Sequence, residues 1–144
     1  MIDNPPPWPN GARCAVAFSF DVDADSVVHA SHGAAAIDMP HALAHMRYDP
    51  FVATPRLARL FGEHQVPITC FVPGWVAETY PAAVEAILRH GANELGNHGH
   101  FHEWPSKQTV EQERESLERG TEALMRLSGV RPRGYRAPYY GLSA

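Results

Sequence analysis

Along this chain, short apolar runs alternate with stripes at helical spacing. In RCAVAFSFDVDAD, Cys14, Val16, Phe18 and Phe20 share one face, and Ala15, Ala17 and Ser19 share the other. Both faces are apolar or small, the pattern of a fully buried strand in a parallel sheet. Extended a little further, that strand places Asp21 and Asp23 on the small-residue face at its carboxyl end. Residues 24–53 show no sustained period, and one helix is expected there, over HALAHM after Pro40. Thr54-Pro55 then opens a helix, an N-cap followed by proline at the first position, with Leu57, Leu60, Phe61 and His64 at 3.6-residue spacing. VPITCFVPG (66–74) reads as a second buried strand. Pro81 starts a helix with Val84, Ile87 and Leu88 inward and Gly91 as a left-handed stop. ANELGN is a short third strand. Ser106 or Thr109 caps a long helix carrying Val110, Leu117, Leu124 and Leu127, ended by Gly129 and Pro132. RGYRAPYY (133–140) reads as a fourth strand.

Strands and helices in alternation define an α/β chain with a parallel sheet. In such folds, sites assemble at the carboxyl ends of strands. The chemically pointed residues fall at those ends: Asp21 and Asp23 after the first, Pro73-Gly74-Trp75 after the second, His98 to His102 after the third, Arg136 to Tyr139 after the fourth.

Composition narrows the partners. The 144 residues suffice for one domain with its own core. A net charge of −4 gives no electrostatic reason to expect nucleic acid or an anionic membrane. No run approaches the ~18 apolar residues of a membrane span. The start, MIDNPPPWPNGAR, lacks the basic and leucine-rich regions of a signal peptide, so a cytoplasmic location is the expectation. Residues 1–12 are expected as a proline-rich extended arm. Cys14 and Cys70 sit in apolar runs and are expected as buried free thiols.

The nine histidines matter by their grouping. In ELGNHGHFHE, His98, His100 and His102 alternate. Residues four apart meet on a helical turn, whereas in a strand only a pair two apart could close on one ion. The glycine-rich exit Gly96-Asn97-His98-Gly99 argues that extended structure stops near residue 97. His98 and His102 are therefore expected on one turn, with His100 facing away. Two histidines with one carboxylate make a catalytic divalent-metal set, and Asp23 is the carboxylate the strand order brings near. His41 and His45 share the spacing, with Asp38 and Asp49 nearby, but no strand end lies beside them; an exposed helix is the reading there. Trp75, Trp104 and Tyr139 read as core or rim aromatics. Arg136, beside two aspartates, would be their charge partner.

FDVDAD (20–25), the H-x-x-x-H of His98 and His102, and RAPY (136–139) resemble, in order and spacing, the first three motifs of the polysaccharide deacetylases. This is the NodB-homology group of carbohydrate esterase family 4. FVPGW at the second strand's end is similar too, and the resemblance runs from about Trp8 to the last residue. It implies a distorted (β/α) barrel that hydrolyses non-peptide carbon–nitrogen bonds with a divalent metal, commonly zinc. It further implies Asp21 as general base, and Asp23, His98 and His102 as metal ligands. Arg136 would orient Asp21, the backbone N–H of Tyr139 would hold the oxyanion, and Trp75 with Tyr139 would line the substrate site. The metal would polarise the amide carbonyl and acidify a bound water, whose proton Asp21 takes.

Two departures bear on substrate. Val22 separates Asp21 from Asp23 where sugar deacetylases have adjacent aspartates, and Glu103 stands where proline usually follows the second histidine. Both resemble the branch holding allantoinase-like and cyclic-imide hydrolases beside peptidoglycan deacetylase-like members, so a small cyclic imide competes with an N-acetylated polysaccharide. Residues 1–144 read as the N-terminal portion of a single such domain. About four strands make a partial barrel, and the later motifs, including a histidine acid, have no counterpart. The chain is therefore expected to associate as a homo-oligomer or to be completed by a second chain, and to be weakly active or inactive alone.

Overall fold

A computed structural model of the chain describes residues 7–141. Three parallel strands form one sheet in the order β1 (Phe18–Asp21), β2 (Ile68–Val72), β3 (Glu94–Asn97). Phe18 pairs with Ile68 and Asp21 with Phe71; Thr69 pairs with Glu94 and Val72 with Asn97. The expected fourth strand is reduced to one bridge, Asn97 to Tyr135. It is held by Asn97 N–H to Gly134 O and Arg136 N–H to Asn97 O. The α/β class with a parallel sheet stands; three strands, rather than four, carry it.

The strand period of two sorts the sheet into unlike faces. Val22, Ile68, Cys70, Val72 and Leu95 are buried against helices, with Phe20 packed on the same core. From the helical side come α3 (Thr54–Glu63), α4 (Gly74–Thr79), α5 (Pro81–Leu88) and α6 (Val110–Ser128), contributing Ala58, Val76, Ala77, Val84, Ile87, Ala123 and Leu124. Each fully buried valine, leucine or isoleucine there contributes roughly 1.5–3 kcal/mol. Ser19, Asp21, Thr69 and Phe71 line the opposite face, which is only partly covered.

That one-sided burial corrects several expectations. The first strand is four residues long, and Val16 and Phe18 are exposed, because β1 has a sheet neighbour on one edge only. Cys14 is exposed while Cys70 is buried, where burial pushes its thiol pKa up to about 12. In the arm, Pro9–Gly11 is a 3-10 turn instead of extended chain, and residues 1–6 lie outside the described part.

Residues 24–53 are more helical than their pattern suggested. They hold α1 (Ser26–His32), a 3-10 turn at Gly33–Asp38, α2 (Pro40–Met46) and a wide turn at Asp49–Ala53. Val28, Ala36 and Leu43 make a small second core there, too few apolar positions to show a period. Thr54 does not cap α3; its hydroxyl donates to Asp49 instead. Gly91 is not in the left-handed region, and α5 ends at Leu88 without such a stop. α6 starts as expected: Thr109 accepts from Gln112 N–H while the Gln112 side chain returns to Thr109 N–H, and Gly129 closes the helix at φ 70°. Its buried face is Ser116, Gly120, Ala123 and Leu124, with Val110 exposed. Among the described residues, no helix is long and apolar enough to cross a membrane.

Candidate active site

Beyond β3 the chain enters a loop that no helix occupies, correcting the expected helical turn at His98 and His102. Gly99 (φ 75°) and His102 (φ 55°) take left-handed backbone and reverse the chain, so the two rings still converge, 5.0 Å between centroids. His100 points away, as expected, with Nε2 2.7 Å from the Arg119 guanidinium.

Neighbouring elements hold the reversal. Gly74 N–H donates to Gly99 O and Trp75 N–H to His100 O, so the first turn of α4 anchors the loop. Asn97 Oδ1 accepts from Gly99 N–H at 2.7 Å, while Asn97 Nδ2 donates to Leu117 O and Thr121 on α6, both at 2.9 Å. Ser116 Oγ accepts from His100 N–H at 2.8 Å and donates to Glu103, which also accepts from Phe101 N–H at 2.9 Å. The glutamate that departs from the usual proline thus fastens the loop to α6. Gly74 and Gly120 permit the close approach: a Cβ on Gly74 would lie 2.8 Å from Gly120 Cα, and a Cβ on Gly120 would strike the Gly99 carbonyl oxygen.

Asp23 lies between the imidazoles. Its Oδ1 is 3.4 Å from His98 Nε2 and its Oδ2 is 3.4 Å from His102 Nε2. Both rings are buried. His98 Nδ1–H donates to the Arg136 carbonyl at 2.6 Å. A carbonyl only accepts, so the proton sits on Nδ1 and the Nε2 lone pair faces Asp23. Burial lowers the His98 pKa, with Asp23 opposing, which favours the neutral ligand form. Asp23 Oδ1 and His102 Nδ1 are buried without a hydrogen-bond partner, a costly state for polar atoms unless something else meets them.

A divalent cation fits this set. Four-coordinate zinc with bonds of about 2.0–2.1 Å spaces its ligand atoms about 3.3–3.4 Å apart. The two carboxylate–imidazole separations, each to a different Asp23 oxygen, are of that order, and one ligand atom from each of the three residues lies within 4.8 Å of the others.

Asp21 and Arg136 complete the centre. The Arg136 guanidinium is bound to Asp21, donates to Ser19 Oγ at 2.7 Å, and lies over the Phe71 ring at 4.1 Å. One residue therefore fixes Asp21 with its side chain and His98 with its carbonyl. Tyr139, with φ 56°, packs its ring on His102 at 4.6 Å and stacks on Trp104 at 3.6 Å. Trp75 stands in an aromatic cluster with Phe101, His29 and Tyr80.

Sequence reasoning missed the near side of the site. An open cleft of about 670 Å³ is lined by Asp21 and Asp23 together with Ala44, His45, Met46, Tyr48, Asp49 and Ala53. His45, read as a bystander on an exposed helix, stands at its edge, and Asp49 forms part of the wall. Burial raises the Asp49 pKa, opposed by hydrogen bonds from Thr54 and Ala24.

A three-stranded parallel α/β sheet with this acid–imidazole set at its carboxyl ends defines the class, and comparison names the family. The polysaccharide deacetylase family model matches residues 43–144. The Helicobacter pylori peptidoglycan deacetylase is 34% identical over 128 residues, covering 89% of this chain and 43% of its own. The Bacillus cereus peptidoglycan-N-acetylglucosamine deacetylase is 33% identical over 86 residues, 60% of this chain and 31% of its own. A crystal structure from Mycobacterium smegmatis, of a protein assigned to the polysaccharide deacetylases, superposes with a TM-score of 0.88 at 42% identity. It covers 94% of this chain and 47% of that one. This chain belongs to the polysaccharide deacetylase family. It spans less than half the length of these curated relatives.

Proposed function

We propose that this chain carries the cation-holding and general-base portion of a deacetylase acting on N-acetylated glycan, a hydrolase of non-peptide carbon–nitrogen bonds. The observation that carries this reading is Asp23 held 3.4 Å from both imidazole Nε2 atoms, with Asp21 two residues away bound to Arg136. Asp23, His98 and His102 would hold the cation, with zinc as the metal suited to the donor set. When bound, it supplies Lewis-acid polarisation of the amide carbonyl and acidifies water.

The chain's own groups do the rest. Asp21 opens onto the cleft and takes a proton from the attacking water. Arg136 keeps the Asp21 carboxylate oriented toward that cleft. The Tyr139 N–H serves the oxyanion as the carbonyl carbon becomes tetrahedral. As the C–N bond breaks, the proton held by Asp21 passes to the leaving nitrogen, giving a carboxylic acid and a free amine. The two curated relatives, a peptidoglycan deacetylase and a peptidoglycan-N-acetylglucosamine deacetylase, favour N-acetylglucosamine units over a cyclic imide.

A second reading is a cation-binding portion that turns over only when completed by another copy or chain. The half-covered sheet face and the single-bridge fourth strand favour it. The test is amine release from N-acetylglucosamine oligomers, with cyclic imides alongside, comparing wild type with Asp21→Ala while metal content and mass in solution are measured. Turnover by wild type, cut about 10²–10⁴-fold in Asp21→Ala with metal retained, supports the first reading. Equal inertness of both proteins, each still holding metal, sinks it and leaves the second.

A further inference from the structure

Two acids between β1 and α3, Asp25 in the interior and Asp49 in the cleft wall, have no part in the chemistry above. Asp25 is fully buried. It accepts from Tyr80 OH and from Arg47 Nε, each at 2.7 Å, with His29 Nε2 at 3.6 Å. Asp49 accepts from Ala24 N–H at 3.1 Å and from Thr54 Oγ at 2.7 Å. The Asp23 carbonyl accepts from Ser26 N–H at 3.2 Å and Ser26 Oγ at 2.6 Å. Residues 23, 24 and 25 are thus gripped one after another, two of the grips coming from Arg47 and Asp49.

Ala24 explains why grips are needed. It is fully buried at φ 47°, in left-handed backbone that a Cβ makes unfavourable. Such a conformation persists only where its surroundings hold it. It also breaks the alternation of D-V-D-A-D. Asp21 and Asp23 turn to the cleft, whereas Asp25 turns inward to Arg47 and Tyr80.

We propose that Asp49, braced by Thr54, is a positioning residue for the cation centre: by holding the Ala24 N–H it fixes where Asp23 presents its carboxylate. This rests on the reading that Asp23, His98 and His102 hold a cation. The segment between β1 and α3 is then part of the site's support as well as one wall of its cleft.

The experiment is Zn²⁺ affinity of the 144-residue protein by competition with a chromophoric chelator, with the Co²⁺ absorption spectrum as a second readout and apo melting temperature recorded throughout. Asp49→Ala removes the acceptor for Ala24 N–H, Thr54→Val unbraces the carboxylate, and Thr54→Ser keeps the hydroxyl. Asp49→Ala and Thr54→Val are expected to weaken Zn²⁺ about tenfold or more and to alter the Co²⁺ spectrum, with Thr54→Ser within about threefold of wild type. Should Asp49→Ala not fold, the Thr54 pair decides. Wild-type affinity and spectrum in Thr54→Val, while Asp23→Ala loses the metal, overturn the positioning role alone. Equal binding by wild type and Asp23→Ala overturns the cation centre and the positioning role with it.

Discussion

Replacing Gly120 by alanine tests whether the helix behind the histidine loop sets the geometry of the site. Gly120 sits mid-helix in α6, and its backbone lies against the loop. An added Cβ would lie 3.0 Å from Asn97 Oδ1, and closer still to the Gly99 carbonyl oxygen; ordinary contact begins at 3.4 Å. The loop or the helix must therefore give by at least 0.4 Å at Asn97, and by more at Gly99. Neither neighbour moves freely, since Asn97 is tied to Leu117 and Thr121, and Gly99 O is tied to Gly74 N–H. Metal–ligand distances tolerate only about 0.2 Å, so the displacement should reach the proposed cation centre. Overpacking costs about 1–3 kcal/mol, offset by about 1 kcal/mol of helix propensity gained over glycine. Expected are a net loss of up to about 2 kcal/mol in chemical denaturation and a Zn²⁺ affinity about 10–100-fold weaker in chelator competition. Gly91→Ala, where an added Cβ meets nothing within 4 Å, is the control and should change neither. A Gly120→Ala protein with wild-type affinity and stability would refute the claim that α6 sets the loop.

Asp25→Asn should lower stability by about 2 kcal/mol, because Tyr80 and the partly exposed Arg47 both lose a charged acceptor; a urea midpoint unchanged from wild type contradicts that accounting. The metal-free protein should also weaken as pH falls below 6.5, where unfolded histidines take up protons that buried His98 and His100, with lowered pKa values, still refuse. This contribution is complete above 6.5 and is lost on the way down to the native values. In urea titrations between pH 7.5 and 5.5, His100→Gln should lose less than wild type, and an equal loss counts against the buried-imidazole account.

Two kinds of information built this site. Local pattern sufficed where physics is local: the N-cap and glycine stop of α6, the apolar run of β2, and the parallel α/β class. Order along the chain also made the cluster of Asp21, Asp23, His98, His102 and Arg136 legible, because in a parallel sheet each strand delivers its carboxyl end to the same side. What the pattern could not supply was contact between segments. Strand period and helix period both misdescribed His98 to His102, since the pair closes through left-handed Gly99 and His102, a geometry imposed by α4 and α6. Burial of β1 was over-read because alternation reports what a strand offers, whereas coverage depends on its neighbours. Asp49 and Gly120 carried no periodic signal at all; a mid-helix glycine hints at close packing, but only the tertiary structure shows that it meets the histidine loop. Sequence determined which groups reach the ends of the strands, and packing between distant segments decided how closely they stand, because distances of a few tenths of an ångström are set by steric contact and not by periodicity.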